Sequence, residues 1–411
     1  MRSSRDKEAM KILWLKNNLL HPLDSGGKIR TYQMLRKIRE QHEIHFAAFA
    51  DEKRDVDSMR SAGEYCHRLF TVEPPRISDK NSLGYYAKVL GTLFDRYPFT
   101  VSSYRSPRMR DLVARLVADN GYDLLVADFL AMCLNVPKPF AVPVVHFSHN
   151  VEAMIWKRHV ENERNPLKRI VFGRESARVE RFEREVINEY AFTIAVSEAD
   201  YEHFRCIYGG SRVGYIGTGV DTEFYVPQGG AEEAGSILFL GSMDWMPNID
   251  AVHYFVRNIY PLVKRDLPSA KLFVVGRDPE ASVVALGDAD PSIVVTGTVP
   301  DTRSFVNLAA VAVVPIRIGG GTRIKIYEMM AMAKTIVSTP IGAEGLSYTD
   351  GENILIADKP HEFARLVVKA LREEKWRASI GTNARNFVAS RCSWDAVAGQ
   401  FVDLLAHSKE R

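Results

Sequence analysis

Residues 310–331 read AVAVVPIRIGGGTRIKIYEMMA: an apolar run, three glycines and then an apolar-periodic helical pattern. The run ends at Pro315 and has the length of a single strand. Strands that are apolar throughout, rather than alternating with polar residues, are typical of parallel sheets covered by helices on both faces. The stretch therefore predicts one strand–loop–helix unit of an α/β protein.

Similar apolar runs recur along the whole chain, separated by amphipathic helical patterns. In the order of the sequence they are residues 10–15, 44–49, 67–71, 124–127, 142–147, 192–196, 213–215, 237–240, 271–275, 293–295, 335–338 and 354–356. Long helical crossovers between strands are typical of βαβ units, whose right-handed connections build doubly wound sheets. We predict two Rossmann-like, doubly wound domains that face a central cleft.

The chain of 411 residues is long enough for two such domains. Its composition changes at residues 217–221 and again at 226–235, a polar, glycine-rich stretch typical of a linker. We expect an N-terminal domain at 1–222 and a C-terminal domain at 223–391. A helical pattern within 392–411 is expected to pack back toward the N-terminal domain.

The overall composition is that of an ordinary globular enzyme, with 46% hydrophobic and 26% charged residues. It excludes disordered, collagen-like and disulfide-scaffold proteins, and no run is long enough to span a bilayer. A net charge of +3 gives no support for a nucleic-acid partner. Cys66, Cys133, Cys206 and Cys392 lack metal-binding spacing, so we expect reduced thiols, no metal site and a cytoplasmic location.

The triple glycine and its helix form the clearest candidate binding site. Glycines let backbone N–H groups approach a ligand closely, and the start of a helix carries partial positive charge. Arg323 and Lys325 add two full charges there, which is locally unfavourable for a helix start unless an anion is bound. Glu328 follows at a spacing suited to vicinal ribose hydroxyls. A plain glycine-rich turn is the alternative.

Two N-terminal segments are weaker candidates. Ser25, Gly26 and Gly27 lie between a predicted strand and a predicted helix, where a loop could approach phosphates or an acceptor. A plain turn is the alternative. His149 ends a buried strand, and from the residues alone a structural histidine is the alternative to a catalytic one.

Residues 152–190 form a long helical pattern with dense charge of both signs. We interpret it as a solvated helix pair with i,i+4 ion pairs. A membrane-surface or acceptor-docking face is the alternative.

Four of these segments, in this order, resemble family 4 of the retaining glycosyltransferases, which adopt the GT-B fold. PLDSGGKIR at 22–30 resembles its glycine loop, and FSHNVE at 147–152 resembles the strand end that bears its active-site histidine. FLGSMDWMPNID at 239–250 resembles the opening of its C-terminal domain. The segment from Gly319 to Leu346 resembles the donor-binding segment, in a bacterial polysaccharide-type subgroup with a Gly-Gly-Gly-Thr-Arg loop.

The resemblance implies roles for individual positions. Arg323 and Lys325 would hold the donor diphosphate, Glu328 the ribose, and His149 would hydrogen-bond the donor sugar. Position 320, where the family carries a glutamate, is Gly320, so backbone amides would serve the sugar side. The other residues implied in donor binding are Gly241, Ser242, Asn248, Thr298, Val299, Gly319, Gly321 and Thr322. Ser242 stands where many members carry a basic residue.

The implied reaction transfers a sugar from a nucleoside diphosphate sugar to an acceptor hydroxyl, with retention and without a metal or other cofactor. UDP-sugars are slightly preferred over GDP-sugars. No carboxylate nucleophile is evident, which fits attack on the face from which the diphosphate leaves. The acceptor would be a sugar or a lipid-linked sugar in bacterial polysaccharide or glycolipid assembly, which allows peripheral contact with the inner membrane. A hydrolysing sugar-nucleotide epimerase and a non-catalytic GT-B scaffold are the alternatives.

Overall fold

The computed structural model describes residues 9–75, 95–162, 165–318 and 323–409. The chain divides into two compact units. The first comprises Met1–Ile216 and Ala398–Arg411, and the second comprises Gly217–Val397. This division falls a few residues before the boundary at 222/223 that the sequence predicts.

The first unit is built on a seven-stranded sheet. Its strands are β1 Lys11–Lys16, β2 Glu43–Phe49, β3 Arg68–Val72, β4 Leu124–Asp128, β5 Val144–Phe147, β6 Phe192–Ala195 and β7 Val213–Tyr215. They lie in the order β3-β2-β1-β4-β5-β6-β7, and all pairs are parallel. Because the strands run in one direction, the loops that leave them all start at the same edge, the carboxyl edge.

Helices connect these strands. They are α1 Gly26–Ile38, α2 Val56–Arg60, α3 Phe99–Ser102, α4 Pro107–Asn120, α5 Glu152–Asn162, α6 Pro166–Glu189 and α7 Glu198–Glu202. Short 3-10 turns occur at Ser61–Glu64 and Leu130–Asn135, and a π turn extends α7 over His203–Ile207.

The second unit repeats the arrangement with a six-stranded sheet in the order β10-β9-β8-β11-β12-β13, again parallel throughout. Its strands are β8 Glu233–Leu240, β9 Lys271–Val275, β10 Ile293–Gly297, β11 Ala309–Val314, β12 Ile336–Ser338 and β13 Leu355–Ile356. The prediction of two doubly wound α/β sheets is therefore confirmed. β8 begins at Glu233, inside the predicted linker, because Glu233 already pairs with Ala309 in the ladder.

The helices of the second unit are α8 Met246–Tyr254, α9 Tyr260–Asp266, α10 Ala281–Ala289, α11 Arg303–Leu308, α12 Ile324–Ala331, α13 Pro360–Arg372 and α14 Glu374–Arg391. A π turn, Phe255–Ile259, joins α8 to α9. The last helix, α15 Trp394–Lys409, begins in the second unit and ends in the first. Within the described ranges, no helix is both long and apolar enough to cross a membrane.

β11 shows why the strands are apolar throughout. Val311 and Val313 belong to a core on one face of the sheet, whereas Ala312, which lies between them, belongs to a core on the other. Successive side chains point to opposite faces, so a strand with helices on both sides needs apolar residues at every position.

The C-terminal part of α15 packs on the first sheet. The ring of Phe401 lies 5.6 Å from that of Trp14 and 5.2 Å from that of Phe147, measured between centroids. Lys409 Nζ reaches Asp123 Oδ1 at 2.6 Å. At the other end of the helix, Ser393 Oγ accepts a hydrogen bond from the backbone N–H of Ala396.

The charged segment 152–190 forms the helix pair α5 and α6, but two of its glutamates are buried rather than solvated. Glu175 and Glu183 are 4% and 0% exposed. Glu175 accepts hydrogen bonds from the backbone N–H groups of Phe99 and Thr100, at the start of α3. The expectation of a fully solvated pair is wrong at these positions, because their carboxylates satisfy N–H groups at the starts of other helices.

Candidate functional site

Two buried charged residues end adjacent strands of the first sheet. Lys16 ends β1 and Asp128 ends β4; both are fully buried, with Nζ 2.8 Å from Oδ2. Asp128 Oδ2 also accepts hydrogen bonds from the indole N–H of Trp14 at 2.9 Å and the hydroxyl of Thr31 at 2.8 Å. A buried ion pair is stable only when such additional partners satisfy it. These contacts fix the Asp128 carboxylate in place.

His149 uses the other oxygen of that carboxylate. Its Nε2 lies 2.8 Å from Asp128 Oδ1, and the residue is 8% exposed. Its ring stacks on Phe129, with centroids 4.1 Å apart and planes 9° apart. Phe129 has a φ of 75°, a strained conformation for an aromatic residue, which directs its ring onto the imidazole. Asp128 and Phe129 together hold the orientation of His149.

The environment of His149 favours the neutral imidazole. Burial lowers its pKa to about 4, although the charge of Asp128 acts in the opposite direction. The short contact with a carboxylate assigns the proton to Nε2, which leaves a lone pair on Nδ1. Nδ1 lies 3.6 Å from the position that a Cβ on Gly27 would take. His149 therefore presents a hydrogen-bond acceptor toward the start of α1.

The predicted glycine loop lies at that helix start. Ser25 precedes α1 with an extended backbone, and the space beside Gly26 is open. A Cβ on Gly27 would lie 2.9 Å from Cζ of Phe129. Gly27 is therefore a glycine because the first turn of α1 passes directly over the Phe129–His149 stack.

Glu183 supports the segment that follows His149. Its carboxylate accepts hydrogen bonds from the backbone N–H groups of Glu152 and Ala153, at the start of α5, and from the hydroxyl of Tyr208. Burial raises the pKa of Glu183 to about 7, and these hydrogen bonds offset only part of the shift.

In the second unit, the candidate anion site lies at the start of α12. Gly319, Gly320, Gly321 and Thr322 lie outside the described residues. Arg323 immediately precedes the helix, and Lys325 lies in its first turn, as the sequence predicts. The guanidinium of Arg323 lies over the ring of Trp245, 4.7 Å from its centroid.

Lys325 and Glu328 lie one turn apart on α12, and both are half-buried. Burial lowers the pKa of Lys325, and the charge of Glu328 opposes this shift. Burial raises the pKa of Glu328, whereas the Tyr225 phenol and Lys325 lower it. Each group thus helps to keep the other ionised in a partly desolvated place.

The remaining predicted donor-binding residues lie near the ends of β8 and β10. Gly241 and Ser242 follow β8, and Asn248 Nδ2 donates a hydrogen bond to the carbonyl of Ser242 at 2.8 Å. Asn248 is 9% exposed and therefore supports this turn from behind. Thr298 is exposed and Val299 half-buried, both just after the end of β10.

Sequence reasoning missed several residues of these sites. Lys16 and Asp128 directly follow apolar runs, so a charge at the carboxyl end of a buried strand was the available signal. The roles of Phe129, Tyr225 and Trp245 depend on tertiary packing, which spacing does not indicate.

Comparisons with known proteins identify the family. A model described as glycosyltransferase family 4 matches residues 25–224, and one described as glycosyl transferases group 1 matches residues 234–373. The chain belongs to the glycosyltransferases. Its two parallel α/β units are those of the two-domain GT-B fold. The expected assignment to the glycosyltransferases and to the GT-B fold is confirmed; the subgroup and the retention of configuration stay predictions.

This glycosyltransferase has similar relatives over nearly its full length. It is 19% identical to an uncharacterized 44.6 kDa protein in the cps region of Klebsiella pneumoniae, over 92% of this chain and 95% of that one. The structure of Anabaena HepE in complex with UDP matches with a TM-score of 0.63 and 15% identity, over 97% and 100% of the two chains. Sucrose-phosphate synthase from Thermosynechococcus elongatus matches at 0.61 and 16%, over 97% and 98%.

Replacing Asp128 by Asn should reduce the free energy of unfolding by about 3–5 kcal/mol, because Lys16 would be left buried without its counter-charge. Asp123→Asn is the matched control, since that carboxylate pairs with Lys409 near the surface and should cost about 1 kcal/mol. Denaturant titration measures both. Equal losses for the two variants would contradict the buried pair.

Glu183 gives a pH dependence with a defined sign. Its pKa of about 7 in the folded state exceeds the ordinary 4.5, so folding takes up a proton between these values. The unfolding free energy of the wild type, relative to Glu183→Gln, should rise by about 3 kcal/mol between about pH 8 and about pH 5. Buried histidines contribute equally to both proteins and cancel in the difference. Parallel pH profiles for the two proteins would refute the raised pKa.

Proposed function

We propose that this glycosyltransferase moves a sugar from a nucleoside diphosphate sugar to an acceptor hydroxyl with retention of anomeric configuration. The observation that carries the proposal is the half-buried pair of Lys325 and Glu328 in the first turns of α12. A cation at the positive end of a helix is unfavourable by itself. It becomes favourable when an anion binds to both the cation and the N–H groups of the helix start.

The difficult step is departure of the nucleoside diphosphate, which places negative charge on its outer phosphate. Lys325 and Arg323 lie where the start of α12 also directs N–H groups outward. Charges fixed in a partly desolvated place stabilise the leaving group more in the transition state than in the ground state. The reaction, as proposed, needs no bound metal ion.

Glu328 is proposed to hold the ribose. An ionised carboxylate accepts hydrogen bonds from two neighbouring hydroxyls, and Lys325 and Tyr225 favour its ionised form. UDP is the first nucleotide to test, because the structure of HepE was determined in complex with UDP.

His149 is proposed to accept a hydrogen bond from a substrate hydroxyl through Nδ1. It does not act as a general acid, because burial keeps the imidazole neutral. The neighbouring carboxylate of Asp128 is occupied by Lys16, Trp14 and Thr31, so it is not a nucleophile. Retention is then proposed to follow from attack on the face that the diphosphate leaves.

The acceptor is proposed to be a sugar or a lipid-linked sugar of a bacterial polysaccharide or glycolipid. Support comes from the Klebsiella relative, whose name places it in a cps region. Basic residues of α5 and α6 are consistent with peripheral contact with the inner face of the membrane.

The proposal is tested by incubating the protein with a panel of UDP- and GDP-sugars and candidate acceptors in EDTA, with products followed by proton NMR. An α-linked product from an α-configured donor is expected. A new sugar released from the donor without any acceptor would instead identify an epimerase. A scaffold protein would give no reaction and no binding of either nucleotide.

With the active donor, Lys325→Gln and Arg323→Gln should each lower kcat/KM by about 10²–10³-fold, since each removes a charge-assisted contact to the leaving phosphate. Lys375→Gln, a single-charge change in α14, is the control and should retain activity within about twofold. Less than a threefold loss for both variants would reject the assignment of this site.

A further inference from the structure

The ends of β8 and β9 are in direct backbone contact. The N–H of Gly241 donates to the carbonyl of Val275 at 3.0 Å, and the N–H of Met243 donates to the carbonyl of Arg277 at 2.9 Å. A Cβ on Gly276 would lie 1.6 Å from the carbonyl oxygen of Gly241, so only glycine fits there. This contact places Arg277 beside the turn formed by Gly241 and Ser242.

The side chain of Arg277 is only weakly held in the structure. It is 62% exposed, and its Nη2 lies 3.5 Å from Oδ2 of Asp244, which is itself 45% exposed. A long ion pair between two exposed side chains contributes little to stability. The guanidinium can therefore exchange this carboxylate for another anion at small cost.

Arg277 also acts on the cation at the start of α12. Its partner Asp244 is followed directly by Trp245, and the guanidinium of Arg323 lies over the ring of Trp245, 4.7 Å from its centroid. The charge of Arg277 is also among the influences that lower the pKa of Lys325. Ser242, in the neighbouring turn after β8, brings no charge to the same place. Two cations that converge from different strands and helices are stable together when an anion binds to both.

We propose that Arg277 is a third cation of the diphosphate site, and that on binding it leaves Asp244 for an oxygen of the donor diphosphate. The inference rests on the proposed function. It adds to that function an arginine that follows β9 and a carboxylate that pairs with this arginine until the nucleotide binds. A planar guanidinium suits this role because it can donate two parallel hydrogen bonds to one phosphate.

If Arg277 contacts the diphosphate, replacing it should weaken the binding of ligands that carry phosphate and not of those that lack it. Arg277→Gln should weaken UDP binding about 10-fold, as expected for a charge-assisted contact near the surface, and should leave the affinity for uridine unchanged. Asp244→Asn should bind UDP as tightly as the wild type or up to about threefold more tightly, because the competing carboxylate is gone.

Arg265→Gln is the matched control. Arg265 is a similarly exposed arginine with an acidic partner, Asp266. It lies at the end of α9, shortly before β9 begins, and thus near the opposite edge of the same sheet. Its replacement changes the net charge by the same amount as Arg277→Gln, so both variants have the same long-range electrostatic effect on UDP. The UDP affinity of Arg265→Gln should therefore change less than about twofold.

Isothermal titration of the wild type and the variants with UDP, GDP, UMP and uridine performs the test, with circular dichroism to verify folding. The inference is supported if Arg277→Gln loses the most affinity for UDP, less for UMP and none for uridine. If the wild type binds UDP and Arg277→Gln binds it no more weakly than Arg265→Gln, the inference is overturned while the proposed function stands. If the wild type binds neither UDP nor GDP, both fall.

Discussion

A positive charge at the start of a helix opposes the helix dipole, and the candidate anion site of the second unit depends on this unfavourable arrangement. Lys325 lies in the first turn of α12, half-buried, with Glu328 one turn further along. The lysine loses hydration there, and its charge is only partly balanced by the glutamate. The arrangement is consistent with a ligand that carries negative charge toward Lys325 and hydroxyl groups toward Glu328, as a nucleoside diphosphate does.

In the first unit the candidate site depends on a buried ion pair. Lys16 and Asp128 carry full charges in a place without solvent, and they are stable because they neutralise each other and share Trp14 and Thr31 as partners. The result is a carboxylate that cannot move, and through it a histidine of fixed orientation. Such supporting contacts are what distinguish a functional side chain held for reaction from one that is merely near it.

Both candidate sites depend on a parallel sheet. In a parallel sheet all carboxyl ends lie at one edge, so residues far apart in sequence meet there. Lys16, Asp128 and His149 lie at or just after the ends of three strands, and more than a hundred residues of the chain separate Lys16 from Asp128. Phe129 and Gly27 then fill the space above the strand ends.

The sequence predicted the fold well because apolar runs in a doubly wound sheet are continuous, and each predicted run corresponds to an observed strand. It also predicted the cations at the start of α12, since both are local to one strand–loop–helix unit. The sequence did not predict features that depend on contacts between distant parts of the chain. Glu183 was expected to be solvated, and only tertiary contact with α5 shows it buried. Arg277 was missed because it follows β9, whereas Lys325 follows β11, and these two strands are neighbours of β8 only in the folded sheet.

A crystal structure of the protein with UDP would show whether the start of α12 binds a nucleoside diphosphate. The diphosphate is expected within hydrogen-bond distance of Lys325 Nζ, with the ribose hydroxyls at the carboxylate of Glu328. Density for the nucleotide at any other place, with Lys325 and Glu328 unchanged, would contradict the assignment of the site.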